Sequence, residues 1–128
     1  MPGKFIKITE AEWPIMEILW QASPLSAREI YDRMDSDRPD YRTVRTLVTR
    51  LVEKNAANRS SVHGMLVFAP VIEKKFALRY ETRSFLDRFF GGHIEAGIAQ
   101  MVEEEKLSLE DIEKLRRLLD KKAREVEE

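Results

Sequence analysis

The sequence predicts a mainly α chain interrupted by one small β-hairpin. Three observations carry this. Helix-start signatures, a Ser or Thr followed three residues later by an acid, recur at Thr9/Glu12, Ser26/Glu29 and Ser108/Asp111. Val44, Leu47, Val48 and Leu51 fall at i, i+3, i+4, i+7, the spacing of a buried helical stripe. His63-Gly64 stands between a polar stretch and Leu66-Val67-Phe68, where a two-residue hairpin turn would sit.

The first helix is expected over about residues 9–22, with Trp13, Met16, Leu19 and Trp20 as its apolar stripe. Ile8 and Trp13 would staple its entry. Pro14 lies one turn inside this start, where it would lose a backbone bond, so a distorted first turn or a later start is expected. The second helix is expected over about 26–36, with Leu25 and Ile30 as staple and Ile30, Tyr31 and Met34 inward. The segment Asp35-Ser36-Asp37-Arg38-Pro39-Asp40 breaks it, and Asp40 caps a third helix. That helix spans Tyr41 to Lys54 and stops at Asn55, a residue that tolerates the left-handed conformation. The hairpin follows, with a weak polar arm from Ala57 to Val62.

Residues 71–128 read as entirely helical. One long helix runs from Ile72 to about Phe90 and ends at Gly91-Gly92. A second carries Ile94, Ile98, Met101 and Val102, and a third starts at Ser108. These amphipathic helices have little mass with which to bury each other. Phe76, Tyr80, Phe85, Leu86, Phe89 and Phe90 on one solitary helix would leave a patch that needs a partner, and self-association supplies one. Ile98, Met101, Ile112, Leu115 and Leu119 join the expected dimerisation surface.

Three helices followed by a hairpin is the order of a winged helix-turn-helix domain, here over residues 1–70, with the helical dimerisation region over 71–128. In that arrangement the third helix enters a DNA major groove and the hairpin wing lies along the backbone. The third helix fits the role. Arg42, Arg45, Thr46 and Thr49 fall opposite its aliphatic stripe, where Arg can bond guanine edges or phosphates and Thr can meet a thymine methyl or a phosphate. Arg59 would be the wing's phosphate contact, with Ser60, Ser61 and His63 lesser ones.

Composition bounds the alternatives. The 128 residues carry a net charge of −1, yet residues 42–59 hold five bases (Arg42, Arg45, Arg50, Lys54, Arg59) against one acid, Glu53. A local patch of this kind can attract a polyanion without a basic chain. Residues 1–70 nonetheless have a net charge of only +1, which keeps open a winged-helix protein-interaction module without DNA binding. No apolar run reaches membrane-spanning length and the start has no apolar signal region, so a cytoplasmic location is expected and no membrane partner. There is no cysteine, and the two histidines have no catalytic or metal-ligating neighbours at motif spacing. No metal, cofactor or enzymatic activity is expected, and the run Glu103-Glu104-Glu105 reads as a solvated charge run.

The stretches ITEAEWPIMEILW, SAREIYDRM, YRTVRTLVTRLVEKN, VFAPVI, FLDRFFGG and LSLEDIEKLRRLLD resemble the penicillinase repressor (BlaI/MecI/CopY) family, over about residues 6–122. The resemblance implies a homodimer that binds a dyad-symmetric operator in double-stranded DNA and represses transcription. It maps the base and phosphate contacts onto Arg42, Thr43, Arg45, Thr46 and Arg50. Arg42, Arg45 and Thr46 face outward most directly and are the expected base readers; Thr43 and Arg50 lie on the flank and suit phosphates. Glu53, outward in the last turn, marks where DNA contact fades. The copper-responsive branch carries a Cys-rich C-terminal motif that this chain lacks. The antibiotic-resistance branch adds a sensor protease as a partner, which cleaves an Asn-Phe bond; the corresponding pair here is Gln100-Met101.

Overall fold

The helix caps fix where the first elements begin. In the computed structural model, which describes residues 6–127, the Thr9 hydroxyl accepts from the Glu12 N–H at 3.2 Å and the Glu12 carboxylate accepts from the Thr9 N–H at 2.9 Å. The reciprocal bonds form as expected, but helix α1 (Trp13–Gln21) starts later than residue 9. Pro14 falls in the first turn of this shortened helix, where a missing N–H costs no helical bond. Ser26 and Glu29 make the same pair of bonds at the head of α2 (Ala27–Arg33). This helix ends before the expected residue 36, because Asp35, Ser36 and Asp37 favour turns and Met34 is already extended.

Helix α3 (Tyr41–Glu53) is held at both ends. The Asp40 carboxylate accepts from the Thr43 N–H at 2.8 Å. At the other end Asn55 takes a left-handed φ of 66°. The Asn55 N–H then donates to the Val52 carbonyl at 3.1 Å and the Ala56 N–H to the Leu51 carbonyl at 2.9 Å. These are the two bonds of a Schellman stop. Strands β1 (Ala57–Val62) and β2 (Met65–Pro70) pair antiparallel, with Val62 opposite Met65 across the turn. His63 and Gly64 both have positive φ, 52° and 79°, the pattern of a turn whose twist matches its strands. Leu25 adds a bridge that the sequence reading missed: it exchanges backbone bonds with Phe68, at 3.0 and 2.7 Å.

One core organises the first compact unit, Met1–Ser84. Ile15, Met16 and Leu19 of α1, Ile30 of α2, the four aliphatics of α3, and Phe68 of β2 are buried together. Full burial of each such side chain contributes about 1.5–3 kcal/mol of transfer free energy. Ile72 and Ala77 belong to the same core, so helix α4 (Lys74–Phe90) begins as part of this unit. The Trp20 indole N–H donates to the Ile72 carbonyl at 2.9 Å, and Trp13 and Trp20 stack edge-on. Both tryptophans are structural.

The second unit, Phe85–Glu128, holds the end of α4 with α5 (Ile94–Glu104) and α6 (Leu109–Glu127). Within it α5 approaches α4 closely at Gly97, where a Cβ would come within 3.1 Å of Leu86 and 3.5 Å of Phe90. Ser108 and Asp111 close the expected reciprocal cap on α6. Compactness thus divides the chain within α4, whereas the sequence reading drew a functional division at residue 70. Residues 1–5 and 128, the outer ends of those two regions, lie outside the described residues. Among the described residues no helix is long and apolar enough to cross a membrane.

Candidate nucleic-acid interface

Burial of Val44, Leu47, Val48 and Leu51 turns the opposite face of α3 to solvent. Arg42, Thr43, Arg45, Thr46, Thr49 and Arg50 are all exposed, as is Arg59 on β1. Arg42, Arg45, Thr46 and Thr49 line a shallow depression of about 230 Å³. The Thr46 hydroxyl donates to the Arg42 carbonyl at 3.1 Å and the Thr49 hydroxyl to the Arg45 carbonyl at 3.0 Å. With that hydrogen engaged, each threonine offers outward a methyl group and an acceptor oxygen. A phosphate needs a donor; a thymine methyl or a base amino group does not.

A second groove, of about 410 Å³, lies between the start of α2, α3 and the wing. Arg28, Arg45, Thr49 and Arg59 line it together with Tyr41. It brings the wing's Arg59 to the same concavity as Arg45 and Thr49 of α3. Arg28 and Tyr41 were not among the expected site residues. Their signal lay in spacing, since Arg28 precedes Tyr31 by three residues and Tyr41 precedes Arg45 by four. Ser60, Ser61 and His63 are exposed along the wing.

Lys54 corrects the count of bases. Its ammonium lies 2.7 Å from Glu12 Oε1 and also donates to the Lys7 carbonyl at 2.9 Å. It joins the end of α3 to the start of α1 and does not belong to the outward patch. The Glu12 side chain is 1 % exposed. Burial alone would raise its pKa, but the hydrogen bonds from Lys54 and Thr9 and the Lys54 charge outweigh this and hold it below the usual glutamate value. Glu53 is exposed in the last turn of α3.

The expected dimerisation residues divide by exposure. Phe76, Phe85, Phe89, Ile98, Met101, Leu115 and Leu119 are exposed, and Tyr80, Phe90 and Ile112 are half-buried. Leu86 is already buried inside the protomer, beside Gly97. Helix α6 buries none of its residues. Among the described residues no group of three or more His, Asp or Glu could hold a metal ion.

Three helices, a hairpin wing bridged to them through Leu25, and a solvent-facing basic helix define a winged helix-turn-helix protein. Its sequence places it more narrowly. The penicillinase repressor family profile matches residues 8–121, and the chain belongs to that family. It is 32% identical to the methicillin resistance regulatory protein MecI of Mammaliicoccus sciuri over 124 residues, covering 95% of this chain and 100% of that one. It is 26% identical to the penicillinase repressor of Bacillus licheniformis over 118 residues, covering 91% and 92% of the two chains. It is also similar to the solution structure of the monomeric form of Bacillus licheniformis BlaI in complex with the blaP half-operator, at 24% identity and a TM-score of 0.49, over 57% of this chain and 90% of that one.

Proposed function

We propose that this chain is a sequence-specific DNA-binding transcriptional repressor that acts as a homodimer on a dyad-symmetric operator. The observation that carries the reading is the two-sided α3, with four aliphatics buried and Arg42, Arg45, Thr46 and Thr49 outward beside a wing bearing Arg59. Arg45, Arg42 and Thr46 read bases, with Thr49 beside them; Thr43, Arg50 and Arg59 hold phosphates. Two such helices related by a two-fold axis enter successive major grooves one helical turn apart or a multiple of it. No catalytic step, metal or cofactor is part of this mechanism, and a DNA operator as target agrees with a cytoplasmic location. Repression follows from occupancy of a site that transcription must use.

Residues 71–128 supply the dimer. Ile112, Leu115, Leu119 and Val126 follow one another at spacings of three, four and seven along α6, none of whose described residues is fully buried. A sensor protease is a further partner by family relationship. It would need a specificity other than Asn-Phe, because the chain has no such pair. It would also need α5 to open, because the bond between residues 100 and 101 lies inside that helix.

The test is selection from a pool of random duplexes, followed by gel shifts on the duplex recovered. A dimer with roughly 6–10 phosphate contacts loses about 10³–10⁵ in affinity between 50 and 200 mM salt. Arg45→Ala costs about 1–3 kcal/mol on the selected duplex and relaxes its sequence, while affinity for random duplex changes little. A flat salt response would leave the fold to the protein-interaction reading that the near-zero charge of residues 1–70 allows.

A further inference from the structure

Arginines and tyrosines alternate from α2 into α3. The Arg38 guanidinium lies over the Tyr31 ring, 4.0 Å from its centroid. Arg28 lies 5.3 Å from the Tyr31 centroid and 5.5 Å from that of Tyr41. The two rings meet edge-on, 5.5 Å apart with planes at 77°. Arg45 closes the series, 5.9 Å from the Tyr41 centroid. Guanidinium groups within about 6 Å of a ring centroid are attracted by the ring's quadrupole.

The two rings and Arg28 between them are held by the helices that carry them. Tyr31 sits on α2, whose Ile30 is in the core and whose start is capped by Ser26. Arg28 is tethered to Asp32 at 3.2 Å. Tyr41 is the first residue of α3, one turn before Arg45, so ring and guanidinium share a helix edge. Among the described residues no carboxylate pairs with Arg45, so the ring is what restrains its long side chain. Arg42 and Arg50 have no ring beside them among the described residues.

We infer that Tyr41 is a positioning residue that sets the orientation of Arg45 for reading a base, and so determines specificity without contacting a base itself. The inference rests on the DNA-binding reading above. A bidentate arginine contact to guanine depends on the direction of a planar fork. A phosphate contact accepts many directions. A ring that pre-orders the fork lowers the ordering cost of the base contact and leaves backbone contacts nearly unchanged.

The test uses the full chain and the duplex that the wild-type protein enriches from a random pool. The readout is the ratio of its affinity for that duplex to its affinity for an unselected duplex. Tyr41→Leu keeps apolar bulk against Tyr31 but removes the aromatic face. An exposed cation–π contact corresponds to about two- to fivefold per protomer, so the ratio for a dimer should fall about fourfold to twenty-fivefold. Affinity for the unselected duplex should hold, whereas unfolding would lower both affinities. Tyr41→Phe keeps the ring and should behave as wild type. In an Arg45→Ala background, Tyr41→Leu should have no further effect on the ratio. An unchanged ratio in Tyr41→Leu, a loss in Tyr41→Phe equal to that in Tyr41→Leu, or full additivity with Arg45→Ala would each overturn the inference. A pool from which the wild type enriches nothing would remove the DNA-binding reading and this inference with it.

Discussion

Glu12 Oε1 accepts from the Thr9 N–H and from the Lys54 ammonium, so one carboxylate oxygen closes the turn before α1 and ties down the end of α3. Removing one member of a buried pair leaves the other charged and unpaired. Lys54→Met should therefore destabilise the fold by about 3 kcal/mol, the low end of the range for buried pairs because Lys54 keeps some exposure. Urea denaturation measures it, and pairing the change with Glu12→Gln should recover part of the loss. Asp40 and Glu29, held by bonds from the backbone and side chains of Thr43 and Ser26, also have lowered pKa values. For all three acids the folded form binds protons more weakly than the unfolded chain. Their stabilisation is present above the ordinary values of 3.8 and 4.5 and fades as pH falls through these toward the folded values. Urea midpoints should be flat at near-neutral pH and drop as the solution is acidified below about pH 4.5. Thr46 offers a separate test of its engaged hydroxyl. On the selected duplex Thr46→Val should bind nearly as well as wild type if the methyl reads thymine, and Thr46→Ser should bind worse.

Helix α3 is useful only if its register and ends are fixed. Asp40 fixes its start, and the left-handed Asn55 fixes its stop and directs Ala56 into the core. An ordinary L residue pays about 1–2 kcal/mol for that conformation. Asn55→Ala should lower stability by about that amount, and Asn55→Gly should match or exceed wild type, read as thermal midpoints. Helix α6 presents the opposite case, an element that caps itself but fully buries none of its described residues. Leu115→Lys with Leu119→Lys should leave helical content nearly intact and convert the proposed dimer to monomer, which light scattering would detect. An unchanged mass would move dimerisation to α4 and α5.

The chain combines a core-bearing unit to Ser84 with a helical unit whose apolar faces stay largely open. A protein truncated after Ser84 keeps the full core cluster, so it should unfold in a single cooperative transition by tryptophan fluorescence. It should bind the selected duplex far more weakly than the full chain, because each half-site is then engaged independently. The overall charge of −1 means that little long-range attraction gathers DNA. On the proposed DNA-binding reading, affinity rests instead on short-range contacts from the patch around Arg42, Arg45, Arg50 and Arg59.

Much of this could be read from residue order alone. The three reciprocal caps, the His63-Gly64 turn, the Asn55 stop and the two faces of α3 all arise from groups within about four residues of one another, so spacing encodes them. The exposed basic face was legible for the same reason. The Leu25–Phe68 bridge, the inward turn of Lys54 and the burial of Leu86 against Gly97 were not. Lys54 reaches an acid 42 residues away, and nothing in its own neighbourhood distinguishes it from the outward arginines. Arg28 has a local partner in Tyr31, but it meets Tyr41 only once α2 and α3 have packed. Local spacing specified which helices form and which faces are polar. Chain closure in three dimensions specified which of those polar groups brace the fold and which remain for a partner, because that outcome depends on contacts between segments far apart in sequence.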